Sequence, residues 1–107
     1  MHAKSENLDR VFTALRHPIR RAIIQDLIKG EKDIISIAKP HRVSLNAISK
    51  HLKSLEDAGI VKRKIDGNYH RISLRPEAMK DAIQWMTRYV PFWTANLESL
   101  KKHLEGK

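Results

Sequence analysis

The chain has 107 residues, enough for one domain with a single modest core. It carries 21 Lys and Arg against 12 Asp and Glu, a formal charge of +9, while 41% of its residues are hydrophobic. A foldable but strongly basic domain points to a polyanionic partner. The absence of cysteine excludes disulfides, thiolate metal sites, Fe–S clusters and cysteine nucleophiles. Lys4, Glu6, Asp9 and Arg10 stand where a signal peptide needs an unbroken apolar stretch, and no later run reaches membrane-spanning length. A soluble, cytoplasmic protein with no membrane partner is expected.

Leu8, Val11, Phe12 and Leu15 recur at the spacing of one helical face, with Ser5 or Asn7 placed to cap a first helix. Pro18 suits the first position of a second helix, from about His17 to Lys29, because its missing N–H would have had no intrahelical partner there. Ile19, Ile23, Ile24, Leu27 and Ile28 form that helix's apolar stripe, and Gly30 ends it. Asp33 can cap a short third helix carrying Ile34, Ile37 and Ala38, which Pro40 curtails. After a turn through Arg42, Ser44 caps a fourth helix with Ile48, Leu52 and Leu55 on one face and Gly59 at its end. Helices three and four, joined by a tight turn, make a helix-turn-helix.

Beyond Gly59 the pattern changes. Ile60 to Ile65 and Tyr69 to Leu74 are rich in β-branched residues and flank Asp66 and Gly67, a two-residue hairpin signal. From Pro76 onward Met79, Ile83, Met86, Val90, Trp93, Leu97, Leu100 and Leu104 step by fours and threes, as in a heptad seam. Pro91 interrupts the backbone ladder without shifting that phase, which leaves one kinked helix or two nearly collinear ones. The predicted fold class is mainly α with a small β-hairpin: a winged helix-turn-helix core over 5–75 and a long C-terminal dimerisation helix over 76–107. A terminal helix of that length shows more apolar surface than a three-helix core can cover, hence the expectation of a homodimer.

A helical wheel tests whether the fourth helix suits nucleic acid. At about 100° per residue, Ile48, Leu52 and Leu55 fall within about 60° of one another. The opposite side carries Asn46, Lys50 and Lys53, with Ser49 toward the flank. Asn and Lys there can reach base edges in the major groove, whereas Ser hydroxyls and Lys more often hold phosphates. Glu56 and Asp57 sit at the far end, away from the N-terminal half that enters a groove. His51 lies at the edge of the apolar stripe, where packing and a phosphate contact are both open. The span from Lys39 to Arg75 holds nine cations against three acids, +6 of the total +9. Lys62, Arg63, Lys64 and Arg71 line the hairpin, with Asn68 and His70 at or near its tip, a composition suited to phosphates or an adjacent minor groove. Strand side chains alternate faces, so some of these point elsewhere. The candidate DNA-binding residues are therefore Ser44, Asn46, Ser49, Lys50, His51, Lys53, Arg63, Lys64, Asn68, His70 and Arg71.

These residues resemble the ArsR/SmtB family of winged-helix transcriptional repressors over most of the chain. Ser49, Lys50, His51 and Leu52, then Leu55, Glu56, Ala58, Gly59, Ile60 and Val61, look like that family's recognition helix and its exit. Leu15, His17, Pro18, Arg20 and Arg21 support the match, as does the basic hairpin with Gly67. The resemblance implies a homodimer joined through its first and last helices, with Leu8, Val11 and Phe12 contributed by the first and Met86, Val90, Trp93, Leu97, Leu100 and Leu104 by the seam. It also implies an imperfect palindrome near a promoter and a block on transcription.

Departures from the family pattern matter too. Where many members carry a cysteine pair in helix three, this chain has Asp33, Ile34, Ile35, Ser36 and Ile37, and beyond Pro76 the only histidine is His103. Zinc needs three or four protein ligands, so no metal and no cofactor are expected. A site built from His2, His41, His70 or His103 is the metal-responsive alternative. Trp85, Tyr89, Phe92 and Trp93 line either an interface or a pocket for a small apolar effector. Leu45 and Asn46 replace the Gln and Pro or Ser often found there, so base preference does not carry over. With glycines scattered and no phosphate loop, hydrolase helix or nucleophile elbow, an enzyme is not expected. A protein-interaction module pairing through the C-terminal helix is the alternative from another class.

Overall fold

The computed structural model describes residues 2–106, with side chains from Glu6 onward. In chain order they form α1 (His2–Leu15), α2 (Pro18–Leu27), β1 (Lys32–Asp33), α3 (Ile34–Ala38), α4 (Leu45–Asp57), β2 (Val61–Asp66), β3 (Tyr69–Leu74), α5 (Lys80–Arg88) and α6 (Val90–Glu105), with a single 3-10 turn, Pro76–Met79, leading into α5.

The helix boundaries follow local chemistry. Pro18 opens α2, and the Nδ1 of His17 accepts the Ile19 amide at 3.2 Å. Asp33 caps α3 through the Ser36 amide, and the Ser44 hydroxyl accepts the Ala47 amide at 3.0 Å to start α4. At the other end of α4, Gly59 takes φ +75°. Its amide reaches the Glu56 carbonyl while that of Ile60 reaches Leu55, both at 2.9 Å. This paired closure needs a left-handed residue and directs the chain straight into β2. One expected cap fails: α1 begins at His2, ahead of both Ser5 and Asn7. Asn7 instead donates to the Ala78 carbonyl and to Asp81, tying α1 to the entry of α5.

The sheet has three strands in the order β1-β3-β2, all antiparallel. The predicted hairpin is β2–β3. Its loop, however, is Gly67–Asn68 and not Asp66–Gly67, because Asp66 still pairs with Tyr69. Gly67 alone there has positive φ (+62°). Glycine at the first loop position matches the twist of a type II′ connection, which a first-position Asp would strain. β1 has no counterpart among the predicted elements. Its two residues pair with Ile72 and Arg71 of β3, and the Lys32 ammonium lies 2.8 Å from Asp26 at the end of α2.

Val11, Ile23, Ile37, Ile48, Leu52, Leu55, Ile60 and Ile72 are fully buried, so the core lies where α1 to α4 meet the inner face of the sheet. α5 packs on α1 through buried Ala82, with Phe12 set edge-on to Trp85 at 6.0 Å. The predicted C-terminal helix is present but broken. Tyr89 leaves helical geometry (φ −102°, ψ 2°) and α6 starts anew with Pro91 in its first turn, where no N–H is required. α6 buries none of its residues, and the molecule measures 62 × 36 × 21 Å. The seam divides accordingly. Met79 is half-buried against the core, whereas Met86, Val90, Trp93, Leu97, Leu100 and Leu104 stay exposed. On α1, Leu8 is half-buried and Phe12 exposed, but Val11 is wholly buried. Val11 therefore belongs to the protomer's own core and offers nothing to a second chain.

Candidate nucleic-acid interface

α4 buries Ile48, Leu52 and Leu55 and turns the opposite side outward. Asn46, Lys50 and Lys53 are exposed on the side opposite the core, Ser49 is half-buried beside them, and Ser44 is exposed at the N-terminus. The Lys53 ammonium meets Asp57 one turn on at 3.0 Å. An exposed pair at this spacing contributes only a few tenths of a kcal/mol and leaves the lysine available to a stronger anion. Leu45 is half exposed at the leading end of the helix.

The two flanks of α4 are each tied to the body of the protein. On the wing side, the Arg63 guanidinium lies 2.9 Å from Glu56 and 3.0 Å from Nδ1 of His70. On the α2 side, Arg20 donates from Nε to Nδ1 of His51 at 3.2 Å and from Nη1 to the Thr13 carbonyl at 3.3 Å. The His17 and His51 rings lie 4.3 Å apart, centre to centre. Burial pushes the pKa of His51 down, and His17, Arg20 and His41 reinforce that shift.

Strand alternation sorts the wing. The register sets Val61, Arg63 and Ile65 with Leu74, Ile72 and His70 on one face, and Lys62, Lys64 and Asp66 with Ser73, Arg71 and Tyr69 on the other. Two of the expected DNA contacts, Arg63 and His70, thus share the inner face and bond each other, and the Arg63 side chain is only 20% exposed. Arg63 thus uses two of its N–H groups to hold β2 to Glu56 of α4 and to His70 of β3. The free cations are Lys62 and Lys64, with Arg71 beside them in a loose 3.5 Å pair with Glu31. Asn68 is exposed at the loop. In the sequence Lys62 is one hairpin cation among several; register decides its role, and register needs the turn to be placed correctly. The anchoring roles of Arg20 and His17 have no local signature, since their partner lies some thirty positions away.

Among the described residues no three His, Asp or Glu side chains converge as metal ligands. The side chain of His2, one of the histidines considered for such a site, lies outside them. No helix of the described residues is long and apolar enough to cross a membrane.

A helix-turn-helix whose second helix shows a lysine-bearing side to solvent, followed by a basic hairpin, defines a winged helix-turn-helix DNA-binding regulator of transcription. The chain belongs to the arsR family of bacterial regulatory proteins, whose model matches residues 17–63. It is 30% identical over 83 residues to the transcriptional repressor SdpR of Bacillus subtilis (strain 168), covering 78% of this chain and 92% of that one. The crystal structure of the ArsR family transcriptional regulator RHA00566 superposes with a TM-score of 0.78 at 28% identity, over 84% of this chain and 93% of that one. The homodimeric winged helix-turn-helix DNA-binding domain Mb0332 from Mycobacterium bovis shares the fold, with a TM-score of 0.68 at 22% identity over 99% of this chain and 89% of that one. Members of this family regulate transcription and are not enzymes.

Proposed function

We propose that the protein is a homodimeric repressor that reads a palindromic operator with α4 and grips the adjacent backbone with its wing. The observation that carries this reading is the division of labour on α4: its flanks are bonded to the body while Asn46 and Lys50 face solvent. Asn46 and Lys50 read base edges; Ser44, Ser49 and Lys53 hold phosphates on either side of the groove. The repressor name of SdpR supports the regulatory outcome, and the homodimeric Mb0332 domain supports the assembly. In this chain the pairing surface is the exposed apolar run of Phe12, Met86, Val90, Trp93, Leu97, Leu100 and Leu104, too large for an isolated protomer to leave in water.

Selection of bound duplexes from a random DNA pool tests the reading. The expected product is an inverted repeat with half-site centres about 10 base pairs apart, the spacing of two recognition helices on one side of the duplex. Enrichment of single, unpaired motifs, or of no motif, overturns it.

The wing is tested by salt dependence. Replacing Lys62 and Lys64 together by Ala lowers the slope of log K against log salt by about 0.9 for each phosphate no longer neutralised. Arg63→Ala leaves the slope closer to wild type and instead lowers stability in urea by about 1 kcal/mol, the worth of a charge-assisted bond at a partly exposed site. A slope unchanged by the double lysine substitution removes the wing from the DNA-facing surface.

A further inference from the structure

Three side chains outside the reading face converge on α4, and their hydrogen atoms can be assigned from chemistry alone. An arginine never accepts a hydrogen bond, so the 3.2 Å contact from Arg20 Nε requires a bare, accepting Nδ1 on His51. The backbone amide of Ile19 likewise requires a bare Nδ1 on His17. The two rings lie 4.3 Å apart, tilted at 52° to one another, and Arg20 continues to the Thr13 carbonyl near the end of α1. One half-buried cluster thereby links α1, the start of α2 and the middle of α4.

We propose that His17, Arg20 and His51 form a clamp that sets the pose of α4 for DNA recognition, and that a proton on Nδ1 of His51 opens it. These are positioning residues: they act through α4 and not on the DNA. The proposal rests on α4 being the reading helix. A proton on Nδ1 turns the acceptor into a donor aimed at another donor, and sets a cation against the Arg20 guanidinium. The groups facing His51 are His17 ahead of α2, Arg20 on α2 and His41 in the turn between α3 and α4. Beyond Arg20, the groove between α1 and α4 is lined by Asp9, Arg10, Arg16 and Asp57. No carboxylate is among the groups acting on His51, so nothing there rewards its protonation.

The folded protein holds the titration of His51 below its ordinary value of about 6.5, so the unfolded chain takes up the proton first. The clamp's contribution is complete above that value and is lost as pH falls through the lowered one.

The test compares wild type with His51→Asn, whose side-chain oxygen stands near the position of Nδ1 and accepts without titrating. Affinity for the duplex recovered from the random pool is measured at pH 8 and at a pH below the His51 titration midpoint that NMR gives for the wild-type protein, each protein being referred to its own value at pH 8. All other titrating groups are common to both proteins. Wild type is expected to lose at least about fivefold more affinity than the variant, the lower end of coupling between linked sites. Equal losses overturn the clamp while leaving DNA reading by α4 intact. A measurement on the free wild-type protein stands apart from DNA: long-range nitrogen–proton NMR of the imidazoles is expected to show His51 protonated on Nε2 only and titrating below the denatured chain. A proton on Nδ1, or an unshifted titration, also overturns it. If neither protein binds any duplex while the imidazole spectrum is as expected, the operator reading falls and the clamp's role in DNA recognition falls with it, leaving only the bond between Arg20 and His51.

Discussion

Lys50→Ala is expected to weaken operator binding about a hundredfold without altering the fold. A side chain that reaches a base edge contributes about 1–3 kcal/mol, so its loss costs about tenfold at one half-site, and a symmetric complex suffers it twice. Lys50 is exposed and lies on the far side of α4 from Ile48, Leu52 and Leu55, so thermal unfolding should be unmoved. Asn46→Ala has a different signature: a smaller loss on the preferred duplex and a wider set of accepted bases at the position it reads. Gel-shift titration of both variants against the selected duplex and against single-base changes separates the two. Unaltered affinity together with unaltered preference would show that another element does the reading.

The second large effect is expected at the other end of the molecule. Leu97→Glu should convert the dimer to protomers at micromolar concentration in sedimentation velocity, and should reduce operator affinity to that of a half-site. Leu97 is 64% exposed in the protomer, so a carboxylate there costs the single chain almost nothing. Buried against a second copy it costs several kcal/mol, since an unpaired charge leaves water without compensation. Unchanged far-UV circular dichroism confirms that the protomer itself is intact. Dimers that survive the substitution would move the pairing surface off α6 and onto the Phe12–Trp85 region of α1 and α5.

Much of this architecture is legible because the strongest local signals coincide with its elements. Pro18, Asp33, Ser44 and Gly59 each occupy a helix terminus where their chemistry removes or satisfies otherwise orphaned backbone groups, and the apolar stripe of α4 follows directly from its spacing. The misplacements share a cause as well. β1 is two residues long and is defined only by its partner strand. The hairpin loop slips by one residue because Asp-Gly and Gly-Asn are both good loop pairs, and closure of Asp66 on Tyr69 decides between them. Val11 has the periodicity of an interface residue and of a core residue alike, and only the packing of α1 on the rest of the core distinguishes them. The same holds for the site. The exposure of Asn46 and Lys50 opposite the core can be read from a helical wheel, whereas the bonds of Arg63 to Glu56 and of Arg20 to His51 join residues whose proximity no spacing rule encodes.

Because α4 is fastened along its two edges and its underside, none of the side-chain bonds that secure it involves positions 46 or 50. Exposed side chains there can change at little cost to the fold, so on the proposed reading duplicated copies of such a gene can drift toward new operators one substitution at a time, each intermediate remaining folded. On the proposed reading, target choice and structural integrity are inherited on separate sides of a single helix.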